Sequence, residues 1–213
     1  MDETRAAYLA AAATAVGLLD DPRVEATWDH ASALTGMTVG SLAAHLARSV
    51  LQVGWFLDGD VTGGSIPVSA VTYYARLSDT ASRSSPLNTG VEARSAETAS
   101  IGAIGTATQA RDALVELGRR LQVEPPERRV AVAHRPGEEL FLDEYLRTRL
   151  VELAVHIEDL ALSIGSTVIA PPEAVAIAVE LLFDAARERH GDMAVLHALS
   201  RRERDDREAL RVL

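Results

Sequence analysis

Residues 147–160, RTRLVELAVHIEDL, read as a helix that is apolar almost all the way round. Over 143–164, Leu146, Leu150, Leu153, Ile157, Leu160 and Ile164 recur at helical spacing on one side, while Val151, Val155 and Leu162 occupy much of the other. A helix with so little polar surface is normally enclosed by its neighbours. This one requires several helices packed around it. Its polar residues form a single narrow stripe, Arg149, Glu152, His156, Asp159 and Ser163, which must either meet a crevice or be paired within the core.

The rest of the chain supplies the packing partners. Residues 4–21 predict an Ala-rich first helix that stops at Asp21-Pro22, because proline disfavours helix in the residue before it. Thr38 is placed to cap a second helix over 39–59, with Val39, Leu42, Ala43, Leu46, Val50 and Val53 at helical spacing. Residues 60–90 carry Gly, Pro and Ser at both ends and read as a long crossover with a short helix around Tyr73 and Tyr74. A connection of that length inside a compact domain is more often functional than idle. A third helix is predicted over 91–122, with Gly102 and Gly105 as weak points. Alternation around Pro136-Gly137 predicts a hairpin with strands at 129–133 and 138–142. The fourth helix runs from Asp143, its expected N-cap, to Ile164, with Gly165 at the stop position. Pro171-Pro172 opens a fifth, after which an apolar run and a dense charge run read as a solvated helical face or tail.

The expected fold is therefore all-α: a four-helix bundle with a long crossover, a small β-hairpin and an extra C-terminal helical segment. In 213 residues there is room for one good-sized core and an appendage. The division expected is a bundle over 1–165 and a short helical extension over 166–213. No internal repeat is present, and GTATQAR and TGGS lack the strand, lysine and spacing of a phosphate-binding loop.

Composition removes several function classes. With 21 basic against 31 acidic residues and a formal net charge of −10, the chain is a poor match for a phosphate backbone, so no nucleic-acid partner is expected. Every basic residue is Arg, which together with the Ala and Val richness suggests a high-GC bacterial genome. Cysteine is absent, so any metal here must be held by His and carboxylate, and any thiol chemistry needs a thiol from outside. The N-terminus is acidic ahead of its apolar stretch, unlike a signal peptide, and no run reaches transmembrane length; a cytoplasmic location and no membrane partner are expected.

Glu152 and His156 are four residues apart, so their β-carbons sit roughly 6 Å apart on one helix face. They can share a cation, or simply form a Glu–His salt bridge, or leave Glu152 to Arg149. The metal reading needs a third ligand, since catalytic zinc sites typically hold three protein ligands and keep a fourth position open. His45, on the second helix beside Ser41, Ser49 and Gln52, is the best candidate, although a single His so placed is more often a solvent-edge residue. His30, His134, His190 and His197 have no acid or His partner at ligand spacing.

LTGMTVGSLAAHLARS (34–49), NTGVEARSAETA (88–99) and LDEYLRTRLVELAVHIEDLALSIG (142–165) together resemble the N-terminal domain of the mycothiol-dependent maleylpyruvate isomerase family, within the DinB-like bundle superfamily. The resemblance covers roughly residues 3–165. It implies a DinB-like four-helix bundle with a divalent ion, usually zinc, near one end, and it aligns His45, Glu152 and His156 with the family's metal triad. It also implies transfer to, or isomerisation through, a low-molecular-weight thiol, mycothiol, which suits an actinobacterial composition. The family's isomerase has a larger C-terminal domain that adds an arginine to its substrate site, and residues 170–213 do not read as that domain. The resemblance therefore does not carry maleylpyruvate over as substrate.

The leading expectation is a zinc-dependent enzyme that uses mycothiol for S-transfer to, or isomerisation of, a small electrophile. Asp159 would act as an acceptor behind His156 and Arg149 as an anchor for an anionic group, although an ordinary surface ion pair is an open alternative for each. Tyr73 and Tyr74 would line the cofactor pocket. Two other readings stay open, a metal-dependent hydrolase and a bundle that binds a metal or small ligand without catalysis. A homodimer is compatible with the sequence, which does not fix the oligomeric state.

Overall fold

The computed structural model describes residues 2–61, 63–77, 85–132, 137–200 and 207–212. In chain order the elements are α1 (Glu3–Leu19), α2 (Pro22–Ala26), α3 (Val39–Asp58), α4 (Ala70–Ala75), α5 (Pro86–Ala99), α6 (Gly102–Arg120), β1 (Arg129–Ala131), β2 (Glu139–Phe141), α7 (Leu142–Ser163), α8 (Pro172–His190) and α9 (Asp192–Ser200), with a 3₁₀ turn at Arg207–Leu210. Several ends are set by local chemistry. Thr38 Oγ1 accepts from the Ser41 amide at 3.1 Å and starts α3. Asp21-Pro22 serves two helices at once: α1 stops before it, and Pro22 occupies the first turn of α2, where its missing N–H costs nothing.

The four long helices α1, α3, α6 and α7 form the expected bundle, and α8 is added against α7. Alanines 7, 11, 12 and 15 are all buried, and their small side chains let the α1 backbone lie close to its neighbours. Leu146, Leu150, Leu153, Ile157 and Leu160 are fully buried, each stabilising the fold by about 1.5–3 kcal/mol. The enclosure of α7 is incomplete, however. Val155 and Leu162 are 37 % and 70 % exposed, so the helix turns one apolar edge outward.

Three expectations are corrected. The single helix over 91–122 is two helices. Gly102, at φ +75°, takes the left-handed conformation that breaks a right-handed helix, and α5 starts early because the Ser85 hydroxyl caps the Asn88 amide with Pro86 in the first turn. Asp143 is not an N-cap but the second residue of α7, whose N-cap position is Phe141 without a side-chain cap. Its carboxylate instead receives Arg5 Nε at 2.7 Å, across the bundle from α1. The hairpin forms in the expected place with shorter strands, pairing Arg129 with Phe141 and Ala131 with Glu139. Its tip at 133–136, with His134, lies outside the described residues, as do residues 201–206 of the charge run. Gly165 stands just past α7 at φ +65°, as a helix stop requires. Among the described residues no helix is long and apolar enough to cross a membrane.

Candidate metal centre

The polar stripe of α7 meets the N-terminal half of α3. His45 comes to Glu152 across 107 residues of sequence, its Nε2 lying 3.3 Å from Oε2 of the carboxylate. His156 Nε2 lies 3.6 Å from the same oxygen. The two imidazoles are edge-on, centroids 4.6 Å apart and planes at 79°. One donor atom from each of the three residues falls within 4.8 Å of the others. A tetrahedral ion with ligands at about 2.0–2.1 Å has ligand–ligand edges of about 3.3–3.4 Å, so two edges of the triad already stand near that value.

What surrounds the triad fits an ion as well. A ligating imidazole usually donates its other N–H to an acceptor, which fixes the tautomer and turns the second lone pair toward the metal. His156 Nδ1 is 2.9 Å from Asp159 Oδ2, and His45 Nδ1 is 3.4 Å from the hydroxyl of fully buried Ser95 on α5. Glu152 is held from behind: the Tyr74 hydroxyl donates to Oε1 at 3.2 Å, which leaves Oε2 facing the histidines. The three triad side chains keep 15–20 % exposure, enough for an ion to enter.

Electrostatics in the ion-free protein follow from these contacts. Burial lowers the pKa of His45 against the opposing pull of Glu152, so its imidazole is neutral near pH 7. Burial opposes charge on His156 too, but hydrogen bonds to Asp159 and Glu152 outweigh it and raise the pKa to about 9. Glu152 is driven well below the carboxylate range by the two histidines and Arg149, against the cost of its burial. The cluster thus holds an ionised carboxylate and one proton that an incoming cation would replace.

The triad lies on a cavity of about 550 Å³, within the range of small-molecule sites. Tyr73 and Tyr74, on the expected short helix α4, both line it, and Asp159 and Arg149 line it as well. Arg149 is buried at 7 % exposure, so the surface ion pair does not describe it. Its guanidinium donates to Gln52 Oε1 and Thr148 Oγ1, each at 3.2 Å, and stands 5.2 Å from the Tyr145 ring. His30, His190 and His197 are not in this cluster. Sequence spacing gives no sign of Ser95, which backs His45, or of Arg48 and Arg94, which line the cavity. Ser95 and Arg94 lie in the polar α5, which has no apolar stripe to show which face turns inward.

A family model described as mycothiol maleylpyruvate isomerase N-terminal domain matches residues 8–161. The crystal structure of the mycothiol-dependent maleylpyruvate isomerase is similar to this fold, with a TM-score of 0.56 at 17 % identity, over 85 % of this chain and 67 % of that one. At that identity the likeness shows the fold alone. No curated protein matches the chain.

Proposed function

This chain belongs to the mycothiol maleylpyruvate isomerase N-terminal domain family, and from that premise we propose that it is a divalent-metal enzyme, with zinc as its ion. In this reading it uses mycothiol to transfer to, or isomerise, a small anionic electrophile. The observation that carries the proposal is the convergence of His45, Glu152 and His156 on one point at the wall of a ligand-sized cavity. Three ligands of this kind leave a fourth position open, which is the arrangement of catalytic and not of structural zinc. When bound there, a divalent cation lowers the pKa of a thiol from about 8.5 so that the thiolate is available at neutral pH.

The chain's own residues divide the remaining work. Asp159 and Ser95 take the Nδ1 protons of His156 and His45, so that both Nε2 lone pairs face the ion. Tyr74 keeps Glu152 from rotating away by holding Oε1. Arg149, Arg48 and Arg94, which all line the cavity, supply positive charge for an anionic group of the electrophile. Tyr73 shapes the wall beside it. Because the chain has no cysteine, the sulfur nucleophile is the cosubstrate's. The compartment proposed is the cytoplasm, where thiols are kept reduced.

The test begins with elemental analysis of protein purified without a metal-affinity tag. About one equivalent of zinc is expected, lost in His45→Ala, Glu152→Ala and His156→Ala. Full occupancy in all three variants would put the ion elsewhere and end the proposal. Thermal melting of zinc-loaded protein then compares mycothiol with other thiols, since a ligand of the folded state alone raises Tm. Zinc without any thiol response would move the assignment to metal-assisted hydrolysis.

A further inference from the structure

We infer that Arg189, on α8 and outside the stretch that matches the family, is a positioning residue for the metal centre: it holds α4 so that the Tyr74 hydroxyl fixes Glu152. The inference rests on the reading of His45, Glu152 and His156 as an ion site.

The starting point is the weakness of α4. A helix of six residues has no stability of its own, yet it carries both tyrosines of the cavity wall. It packs chiefly on α8, not on α7, where the triad's carboxylate lies. At its start the Ala70 amide donates to Glu144 of α7 at 2.6 Å, and its C-terminal end is gripped by one side chain of α8. Arg189 Nε donates to the Ala75 carbonyl at 3.0 Å, and Nη2 donates to the carbonyls of Tyr74 at 2.5 Å and Leu77 at 2.7 Å. Its Nη1 donates to the Val212 carbonyl at 3.1 Å, tying in the C-terminal segment. The Tyr74 carbonyl also accepts from the Leu77 amide at 3.0 Å, so Arg189 adds a second donor there, and a cation at this end of a helix meets the negative end of its dipole. Nearer the start of α4, the Thr72 hydroxyl donates to Glu188 of α8 at 3.3 Å.

Tyr74 passes this constraint on. Its backbone carbonyl is gripped by Arg189, its ring is fully buried, and its hydroxyl reaches the Thr148 carbonyl at 3.1 Å and Glu152 Oε1 at 3.2 Å. The residue is a strut between α8 and the carboxylate. If the last turn of α4 shifted by an ångström, the 3.2 Å contact would lengthen past hydrogen-bond range. Glu152 would then be free to turn Oε2 away from the histidines. Arg189 of α8 therefore acts on the ion site without touching it.

The test measures zinc affinity of the full-length protein by competition with a chromophoric chelator, in wild type, Arg189→Met, Arg189→Lys, Tyr74→Phe and the Arg189→Met/Tyr74→Phe pair. Amide exchange across residues 70–77 is followed in parallel. Loss of a group that orients a metal ligand costs about 10–100-fold in affinity, so Tyr74→Phe and Arg189→Met should each weaken zinc at least tenfold. Arg189→Lys should restore part of it. The pair should lose no more than Tyr74→Phe alone, because both changes remove one pathway. Tyr74→Phe deletes a single oxygen and keeps the test alive if Arg189→Met does not fold. Losses that simply add, or exchange in 70–77 that quickens while zinc affinity stays at the wild-type value, would overturn the positioning role and leave the site intact. A wild-type chain that takes up no zinc would overturn both.

Discussion

Two buried arginines on adjacent helices, α1 and α7, show how similar residues come to do different work. Arg5, at the start of α1, is 6 % exposed and makes four hydrogen bonds: two to Asp143 and one each to the carbonyls of Leu121 and Glu124. Charge and donors are satisfied at once. Arg149, on α7, is 7 % exposed, but its two hydrogen bonds go to neutral oxygens and its third neighbour is a ring. Among the described residues no carboxylate lies within salt-bridge distance of it, and it faces a cavity. A saturated buried charge holds helices together. An unsaturated one facing a cavity is, under the proposed function, where charge from outside the chain would be met.

That contrast can be broken most sharply at Arg5. Arg5→Met leaves Asp143 and two carbonyls without their partner and should destabilise the fold by about 3 kcal/mol, read as a lower denaturation midpoint, while zinc uptake by the folded fraction is unchanged. Next in size, His45→Ala should weaken zinc more than about 100-fold, beyond the range seen when only an orienting group is lost, with little change in the melting of the ion-free protein. Arg149→Met tests the other half of the contrast. Stability should move by no more than about 1 kcal/mol, while kcat/KM for a carboxylate-bearing electrophile falls about tenfold or more, the loss of one charge-assisted hydrogen bond. Equal losses with charged and uncharged electrophiles would assign Arg149 to packing.

The smallest expected effect is at Asp159. Asp159→Asn should lower zinc affinity about tenfold and also alter the pH dependence of the chelator-treated protein. The folded-state pKa of His156 is raised to about 9 from an ordinary 6.5, so its protonated form contributes stability that is whole below about pH 6.5 and is lost as pH rises through about 9. Urea midpoints measured across that window should fall with pH in wild type and fall less in Asp159→Asn. A flat wild-type profile would remove the Asp159–His156 contact from the account.

Much of this architecture is legible before folding is considered. The ends of α1 and α3, the short helix at Tyr73 and Tyr74, the hairpin and the stop at Gly165 all follow from signals within one turn of where they act. Where reading failed, the signal was present but outweighed. Ser85-Pro86 marks the start of α5, and Gly102 was read as a weak point, not as a break. Asp143 has the chemistry of a cap, and only the arrival of Arg5 from 138 residues away gives its carboxylate another partner.

For the centre itself, the chain alone determined that Glu152 and His156 share a helical face, because 3.6 residues per turn places any i,i+4 pair together. It also determined that any thiol chemistry would need a thiol from outside, because these 213 residues contain no cysteine. The tertiary structure decided that His45 stands 3.3 Å from Glu152, that Ser95 backs it, that Arg149 is buried and that α8 reaches the site through α4. Those distances depend on how whole helices cross. Crossing is set by apolar burial summed over both faces of each helix, and no single stretch of residues contains that sum.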